Sequence, residues 1–356
     1  MKVLFYISTI RGGGAARVMV NLANGLITKG YDVCFVTNFP DVHEYSLCDE
    51  IKRINVENEE YKGNVLFKNA SRILKLRNII KTEDPDVCVA FMRENNFRLA
   101  LATKGLKTKS IVSVRSDPKK EYRQKGSRQI ANLLYRWVDG IVFQTEEAKA
   151  FFPDGIQKKA TIIFNQVEDK FFNHHTENGE FILASGRLTE AKNYPMMLRA
   201  FKRVLDKFPD EVLRIFGDGA LEEELKKDAR DLQIENRVQF MGFSNDMSGN
   251  YFRAKFLVLT SNYEGMPNAV LEALASSTPV ISTDCPCGGP QMVIQDGING
   301  FLIPVGDDKA CAEKMIYLLE NPDVCLQMKN KAFESSQVFR SDVVLDAWTD
   351  YIKSIL

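Results

Sequence analysis

Short β-branched and aromatic runs alternate with helix-patterned stretches along the chain, and the alternation stops once and starts again. The first series is VLFYI (3–7), VCFVT (33–37), VCVAF (87–91), IVSV (111–114), IVFQ (141–144) and TIIF (161–164). The second is FILAS (181–185), VLRIF (212–216), VQF (238–240), FLVLT (256–260), PVIST (279–283) and FLI (301–303). Strands separated by helices pair in parallel, because a crossover that holds a helix returns the chain to the same end of the sheet. Each series therefore predicts a doubly wound α/β sheet. The polar stretch NQVEDKFFNHHTENGE (165–180) separates them, and 356 residues exceed one ordinary core. The expected organisation is a Rossmann-like domain over 1–170, a second over 178–340, and a helix over 341–356. In that helix Val344, Trp348, Tyr351, Ile352 and Ile355 form one apolar stripe, expected to cross back onto the first domain.

Composition excludes several classes. With 45% hydrophobic and 26% charged residues the chain reads as a folded soluble protein, and no apolar run approaches the roughly 20 residues of a membrane span. Arg11 and three glycines follow the first apolar run, so Met1–Ile10 reads as a strand rather than a signal peptide. Seven cysteines, an odd number and mostly in apolar runs, argue against a disulfide framework and for the cytoplasm. Cys285-Pro-Cys287 lacks a second Cys/His pair at zinc-like spacing, the histidines being His43, His174 and His175. It reads as a small-residue loop. Asp84-Pro85-Asp86 is a D-x-D, but it precedes a strand and reads as a turn, so no metal is expected.

The net charge of zero hides an asymmetry: residues 1–175 carry 28 Lys+Arg against 20 Asp+Glu, and 176–356 carry 19 against 27. Basic residues concentrate in FKNASRILKLRNIIK (67–81) and RSDPKKEYRQKGSR (115–128). The first alternates apolar and basic residues as interfacial helices do, which makes Lys68, Arg72, Lys75, Arg77 and Lys81 candidates for an anionic membrane surface. A solvated helix face explains the same residues. No nucleic-acid partner is expected.

Ligands of parallel sheets bind beyond the carboxyl ends of the strands, and two facing sheets can share a deep cleft there. Three motifs follow strands. Gly12-Gly13-Gly14 opens a helix, but Arg17 stands where G-x-G-x-x-G needs its third glycine, and Asn38 ends the second strand in place of a ribose-binding acid. A nicotinamide cofactor is therefore discounted. In ASGRLTEAKNYP (184–195), Arg187 and Lys192 follow Gly186 in one loop, where a planar fork and a point charge can hold a diphosphate. In YEGMPNAVLEALA (263–275), Glu264, Gly265, Met266, Pro267 and Asn268 lead into a helix that carries Glu272, with Asn268 one turn before it. A helix start with proline in its first turn favours anionic or hydroxyl-rich ligands.

These motifs, with FGDGALEEEL (216–225), VQFMGF (238–243) and DGINGFLIPVGD (296–307), come in an order and spacing that resembles the retaining glycosyltransferases of family 4 over nearly the whole chain. The resemblance implies the GT-B fold: two facing Rossmann-like domains and an interdomain cleft. It implies transfer of a hexose or N-acetylhexosamine from a nucleotide sugar, UDP-linked, to a saccharide or lipid-linked saccharide acceptor in surface polysaccharide assembly. The enzyme would be cytoplasmic or peripheral on the inner face of the membrane, without a metal or other cofactor. By position, Arg187 and Lys192 would hold the donor diphosphate, Glu264 and the Gly265–Asn268 backbone the donor sugar, and Glu272 the ribose. Gly186, Gly217, Gly219 and Phe243 would border the nucleotide, while Gly13, Gly14 and Arg115 would face diphosphate and acceptor. The chain departs from the pattern at Ala16, at Arg115 where relatives use His, and at Gln291-Met292. A non-catalytic sugar-nucleotide binder and a GT-B epimerase are the alternatives.

Overall fold

Two wholly parallel sheets organise the described residues of the computed structural model, which are 1–41, 44–57, 64–177 and 179–356. His43 and position 178, the expected start of the second domain, lie outside them. The first sheet comprises β1 (Lys2–Tyr6), β2 (Asp32–Thr37), β3 (Lys52–Asn55), β4 (Val87–Phe91), β5 (Lys109–Ser113), β6 (Gly140–Phe143) and β7 (Ala160–Ile162). Its order is β3-β2-β1-β4-β5-β6-β7. The second comprises β8 (Phe181–Ser185), β9 (Leu213–Phe216), β10 (Val238–Gly242), β11 (Ala254–Leu259), β12 (Val280–Thr283) and β13 (Gly300–Ile303), ordered β10-β9-β8-β11-β12-β13. β4 and β6 are buried at every residue, as helices on both faces of a sheet require. The central register aligns Val3 with both Val33 and Val87. Sequence pattern misses β3, whose KRIN has two charges and no alternation; it is an edge strand fastened by Lys52 Nζ to Glu83 Oε1 at 2.7 Å.

In each sheet the strand order reverses direction once, between β1 and β4 and between β8 and β11. At those points the two adjacent crossovers leave the sheet on opposite sides, and a gap opens at the carboxyl edge.

The chain divides into two units, Met1–Gln166 with Ser341–Leu356, and Val167–Arg340. The first unit thus ends before residue 170, because Val167 N–H donates to Phe339 C=O at 2.9 Å and the Phe171 carbonyl accepts from Ser276 Oγ at 3.0 Å. The last helix, Ser341–Ile355, packs within the first unit. Its Trp348 ring lies 5.8 Å from Phe91, and the Tyr351 hydroxyl accepts from Ile141 N–H at 2.7 Å while donating to Lys159 C=O at 2.6 Å. Gly25 gives this helix its seat, since a Cβ there would stand 2.5 Å from Leu345 Cδ1.

Helix Val65–Glu83 corrects the expectation of a five-residue basic face. Arg72 is buried against Glu57, with Nη2 to Oε2 at 2.6 Å, and Arg77 turns inward to the carbonyls of Ala102 and Lys104, both at 2.8 Å. Burial reserves guanidinium groups for partners, so two of the five candidate cations serve packing.

His175, in the segment that enters the second unit, stacks 4.2 Å from Phe252 and has both ring nitrogens buried. Burial, with the Lys329 and His174 charges nearby, lowers its pKa from 6.5 to about 4. The native state keeps the ring neutral while the unfolded chain takes up a proton below pH 6.5. Stability should therefore be complete above pH 6.5 and fall toward pH 4, by roughly 2 kcal/mol at pH 5. Urea midpoints measured from pH 7.5 to 5 should show this slope, and His175→Phe should flatten it.

Candidate functional site

The loops beyond β8 and β11 meet at the switch point of the second sheet, and hydrogen bonds lock them together. Thr260 Oγ1 donates to the carbonyls of Lys192 and Asn193, both at 3.0 Å; Asn262 N–H donates to Ala191 C=O at 2.8 Å and its side chain to Glu190 C=O at 2.8 Å. The same contact brings Lys192 Nζ to 2.5 Å from Glu264 Oε1, with both side chains largely buried. Ser261 Oγ donates to that oxygen at 2.7 Å. Glu264 is held from a third side too: its N–H donates to Pro286 C=O at 2.6 Å and its C=O accepts from Cys287 N–H at 2.8 Å. The Cys285-Pro-Cys287 loop is thus a backbone clasp on Glu264, with both thiols buried. Burial and the Glu264 charge push the Cys285 thiol up to about 12. Arg187 is exposed on this loop, and among the described residues its guanidinium has no partner.

Three close approaches explain the glycines. A Cβ on Gly217, at φ +125°, would stand 2.2 Å from the Gly186 carbonyl; one on Gly219 would stand 2.4 Å from that of Leu188. The loop beyond β9 therefore lies against the loop carrying Arg187, helped by Leu188 N–H to Asp218 C=O at 2.8 Å. Gly217 N–H continues the chain of contacts to Gly242 C=O at 2.8 Å, which sets the 77% exposed Phe243 ring beside this edge. The tightest approach is at Gly289, where a Cβ would fall 1.6 Å from the Gly265 carbonyl.

Helix Asn268–Ala275 starts here with Pro267 at its cap position and no side-chain cap. Its first N–H groups and partial positive charge belong to the same edge as Lys192 and Arg187. Met266 and Pro267 are buried, Asn268 half-buried. Glu272, one turn on, is only 7% exposed and accepts from the Tyr251 hydroxyl at 3.4 Å. This edge gathers the sequence-derived Gly186, Arg187, Lys192, Gly217, Gly219, Phe243, Glu264, Gly265, Met266, Pro267, Asn268 and Glu272 within one unit. Sequence reasoning missed Ser261, which aims Glu264, and Tyr194, whose hydroxyl donates to Gly186 C=O at 3.0 Å. Nothing in the spacing of either residue marks it.

The remaining candidates lie in the first unit. Gly12 and Gly13 have φ of +62° and +84°, with nothing within 4 Å of an added Cβ, and Gly13 is the cap position of helix Gly14–Thr28. Their glycine character serves the turn, and the space beside it is open. Arg115 follows β5 with its Cζ 4.4 Å from the centre of the Phe91 ring and a hydrogen bond from Nη2 to Asn165 Oδ1. Its Nε is buried and has no partner among the described residues, and burial lowers its pKa to about 9.

Residues 12–171 match the family described as Glycosyltransferase Family 4, and residues 165–335 match Glycosyl transferases group 1. The chain is 29% identical over 364 residues, covering 100% of this chain and 99% of the relative, to a Campylobacter jejuni GalNAc-alpha-(1->4)-GalNAc-alpha-(1->3)-diNAcBac-PP-undecaprenol alpha-1,4-N-acetyl-D-galactosaminyltransferase. It is 24% identical to the amylovoran biosynthesis glycosyltransferase AmsD of Erwinia amylovora, over 99% of both chains. Anabaena HepE, solved in complex with UDP, superposes with a TM-score of 0.83 at 17% identity, over 99% of this chain and 100% of the other. That likeness identifies the fold as GT-B.

The glycine geometry sets a graded test. Gly217→Ala forces a methyl group into a carbonyl at positive φ and should lower stability by about 3 kcal/mol. Gly13→Ala meets only backbone strain, about 1 kcal/mol. Thermal melts of the two variants should separate in that order.

Proposed function

We propose, from the premise that the chain belongs to the GT-B glycosyltransferases through its family 4 and group 1 domains, that it is a retaining enzyme using a nucleotide-sugar donor. The donor is a UDP-linked hexose or N-acetylhexosamine, and the acceptor a saccharide or lipid-linked saccharide of surface polysaccharide assembly. The observation that carries this reading is the Lys192–Glu264 pair set beside an unpartnered Arg187 at the switch point of the second sheet.

A diphosphate leaving group develops negative charge as the glycosidic bond breaks. Arg187 can meet it with a bidentate fork and Lys192 with a point charge already held in place, so no reorganisation is needed as the charge grows. The start of helix Asn268–Ala275 adds backbone donors on the same edge. Glu264, clasped through its own N–H and C=O, turns its second carboxylate oxygen to sugar hydroxyls. Glu272 accepts from the ribose, and the exposed Phe243 ring borders the base with Gly217 and Gly219. The reading invokes no metal and assigns no protein nucleophile. The acceptor attacks from the face the leaving group occupies, and the departing phosphate takes its proton. On the first unit, Gly13, Gly14 and Arg115 are assigned to the acceptor. A lipid-linked acceptor draws support from the Campylobacter jejuni relative, whose name specifies an undecaprenol diphosphate glycan.

Lys192→Ala and Arg187→Ala should each cost roughly 2–4 kcal/mol of transition-state stabilisation, seen mainly in kcat. Glu272→Gln should weaken donor binding more than turnover, since ribose contacts are made equally before and during reaction. Steady-state kinetics over a nucleotide-sugar panel, with and without acceptor extract, tests both. Near-normal kcat in the two cation variants overturns the diphosphate assignment, and donor conversion without acceptor marks an epimerase instead.

A further inference from the structure

Helix Pro322–Ser336 forms one wall of a hollow of about 830 Å³ in the second unit, within the roughly 300–1,000 Å³ of small-molecule sites. The turn at Gly297 and Ile298 and the side chain of His174 supply the other walls. That turn enters β13 at its amino end, so the hollow lies at the edge of the second sheet opposite the one that carries Lys192 and Arg187.

Buried polar groups fasten these walls. Asn299, fully buried, donates from Nδ2 to Ser335 Oγ on the helix at 2.9 Å and to Val293 C=O at 3.1 Å, and its Oδ1 accepts from Gln295 N–H at 2.8 Å. Lys329, 3% exposed, leaves the helix to donate to Glu177 C=O at 2.6 Å, which ties down the segment that carries His174. His174 Nε2 bonds Asn330 Oδ1 at 2.9 Å, and its ring lies 4.9 Å from that of Phe333. Walls tied in this way exist before any ligand arrives, so binding costs little reorganisation.

The lining is apolar with neutral polar groups set into it. Phe333, Val324 and the half-exposed Ile298 give the apolar surface. Gln327 and Asn330, one turn apart on the same helix face, bring two amides; among the described residues the Gln327 side chain and the Asn330 Nδ2 have no partner. Glu334 pairs with Lys331 at 2.7 Å, so the lining carboxylate and ammonium cancel and hold no ion. A neutral pyranose matches this surface. Its C–H face suits the negative face of a phenyl ring, and its hydroxyls, each a donor and an acceptor, suit amides that offer both. A wholly apolar ligand would leave the amides unpaired.

We propose that this hollow is a second saccharide site, which holds a neutral pyranose unit of a glycan away from the donor loops. It would tether the glycan while the carboxyl edge exchanges its ligands, and it rests on no assignment made at that edge.

Saturation-transfer NMR with maltotriose, lactose and triacetylchitotriose at millimolar concentration tests the site with no nucleotide sugar present. At least one of the three should take up magnetisation from the protein. Gln327→Ala, Asn330→Ala and Phe333→Leu, the last keeping most of the apolar volume, should each weaken that binding about fivefold. Glu264→Gln, at the opposite edge, should leave it unchanged, and matching thermal melts show that the variants remain folded. Binding of none of the three saccharides, or equal binding by the three hollow variants, overturns the proposal. Loss of binding in Glu264→Gln also overturns it, because the sugar then sits at the carboxyl edge. So does a dimer seen by light scattering that Ile298→Asp dissociates, since a second copy then fills the hollow.

Discussion

A single ion pair fixes the geometry of the second sheet's carboxyl edge. Lys192 and Glu264 come from crossovers that leave the sheet on opposite sides, and their 2.5 Å contact closes the gap between them. Largely buried charges of this kind persist only when further hydrogen bonds satisfy them. Here Ser261 supplies one to the carboxylate, and the Pro286–Cys287 clasp holds the Glu264 backbone. The pair contributes less to stability than to position. A cation that is already held does not have to be gathered when an anionic ligand arrives, and that is where an electrostatic site gains its advantage.

The supports around the pair have no charge of their own. Three glycines, Gly217, Gly219 and Gly289, let neighbouring loops approach carbonyls where a methyl group would collide. Loops normally carry the freedom that a site must suppress. Backbone packed on backbone suppresses it here, so the exposed Arg187 and Phe243 project from a rigid rim. The edge of the first sheet is built differently. Gly12 and Gly13 face open space, and Arg115 rests on Phe91 and Asn165 with one nitrogen unsatisfied.

Surface chemistry follows the same division between what is fastened and what is left over. On helix Val65–Glu83, Arg72 and Arg77 are consumed by Glu57 and by the carbonyls that end a neighbouring helix. On helix Ser127–Leu134 and its turn, Ile130, Leu133 and Trp137 remain uncovered because the inward side alone completes the core. A list of basic residues cannot tell these cases apart.

By itself the sequence determined the two parallel sheets, the break between them, and the stripe of the last helix, because strand burial and helix periodicity are local patterns that hydrophobicity writes directly. It also determined that Gly186, Arg187, Lys192, Glu264 and Glu272 follow strands, which in a doubly wound sheet places them at one edge. The edge strand KRIN escaped, since a solvated strand carries no alternating signal. Only the tertiary structure decided that Lys192 meets Glu264, that Ser261 and Tyr194 hydrogen-bond to Glu264 and to the Gly186 carbonyl, and that the Pro286–Cys287 backbone clasps Glu264. Only it decided which basic helix spends its charges inward. Those outcomes depend on contacts between residues dozens of positions apart, and their geometry is set by the packing of crossovers, which no local pattern encodes.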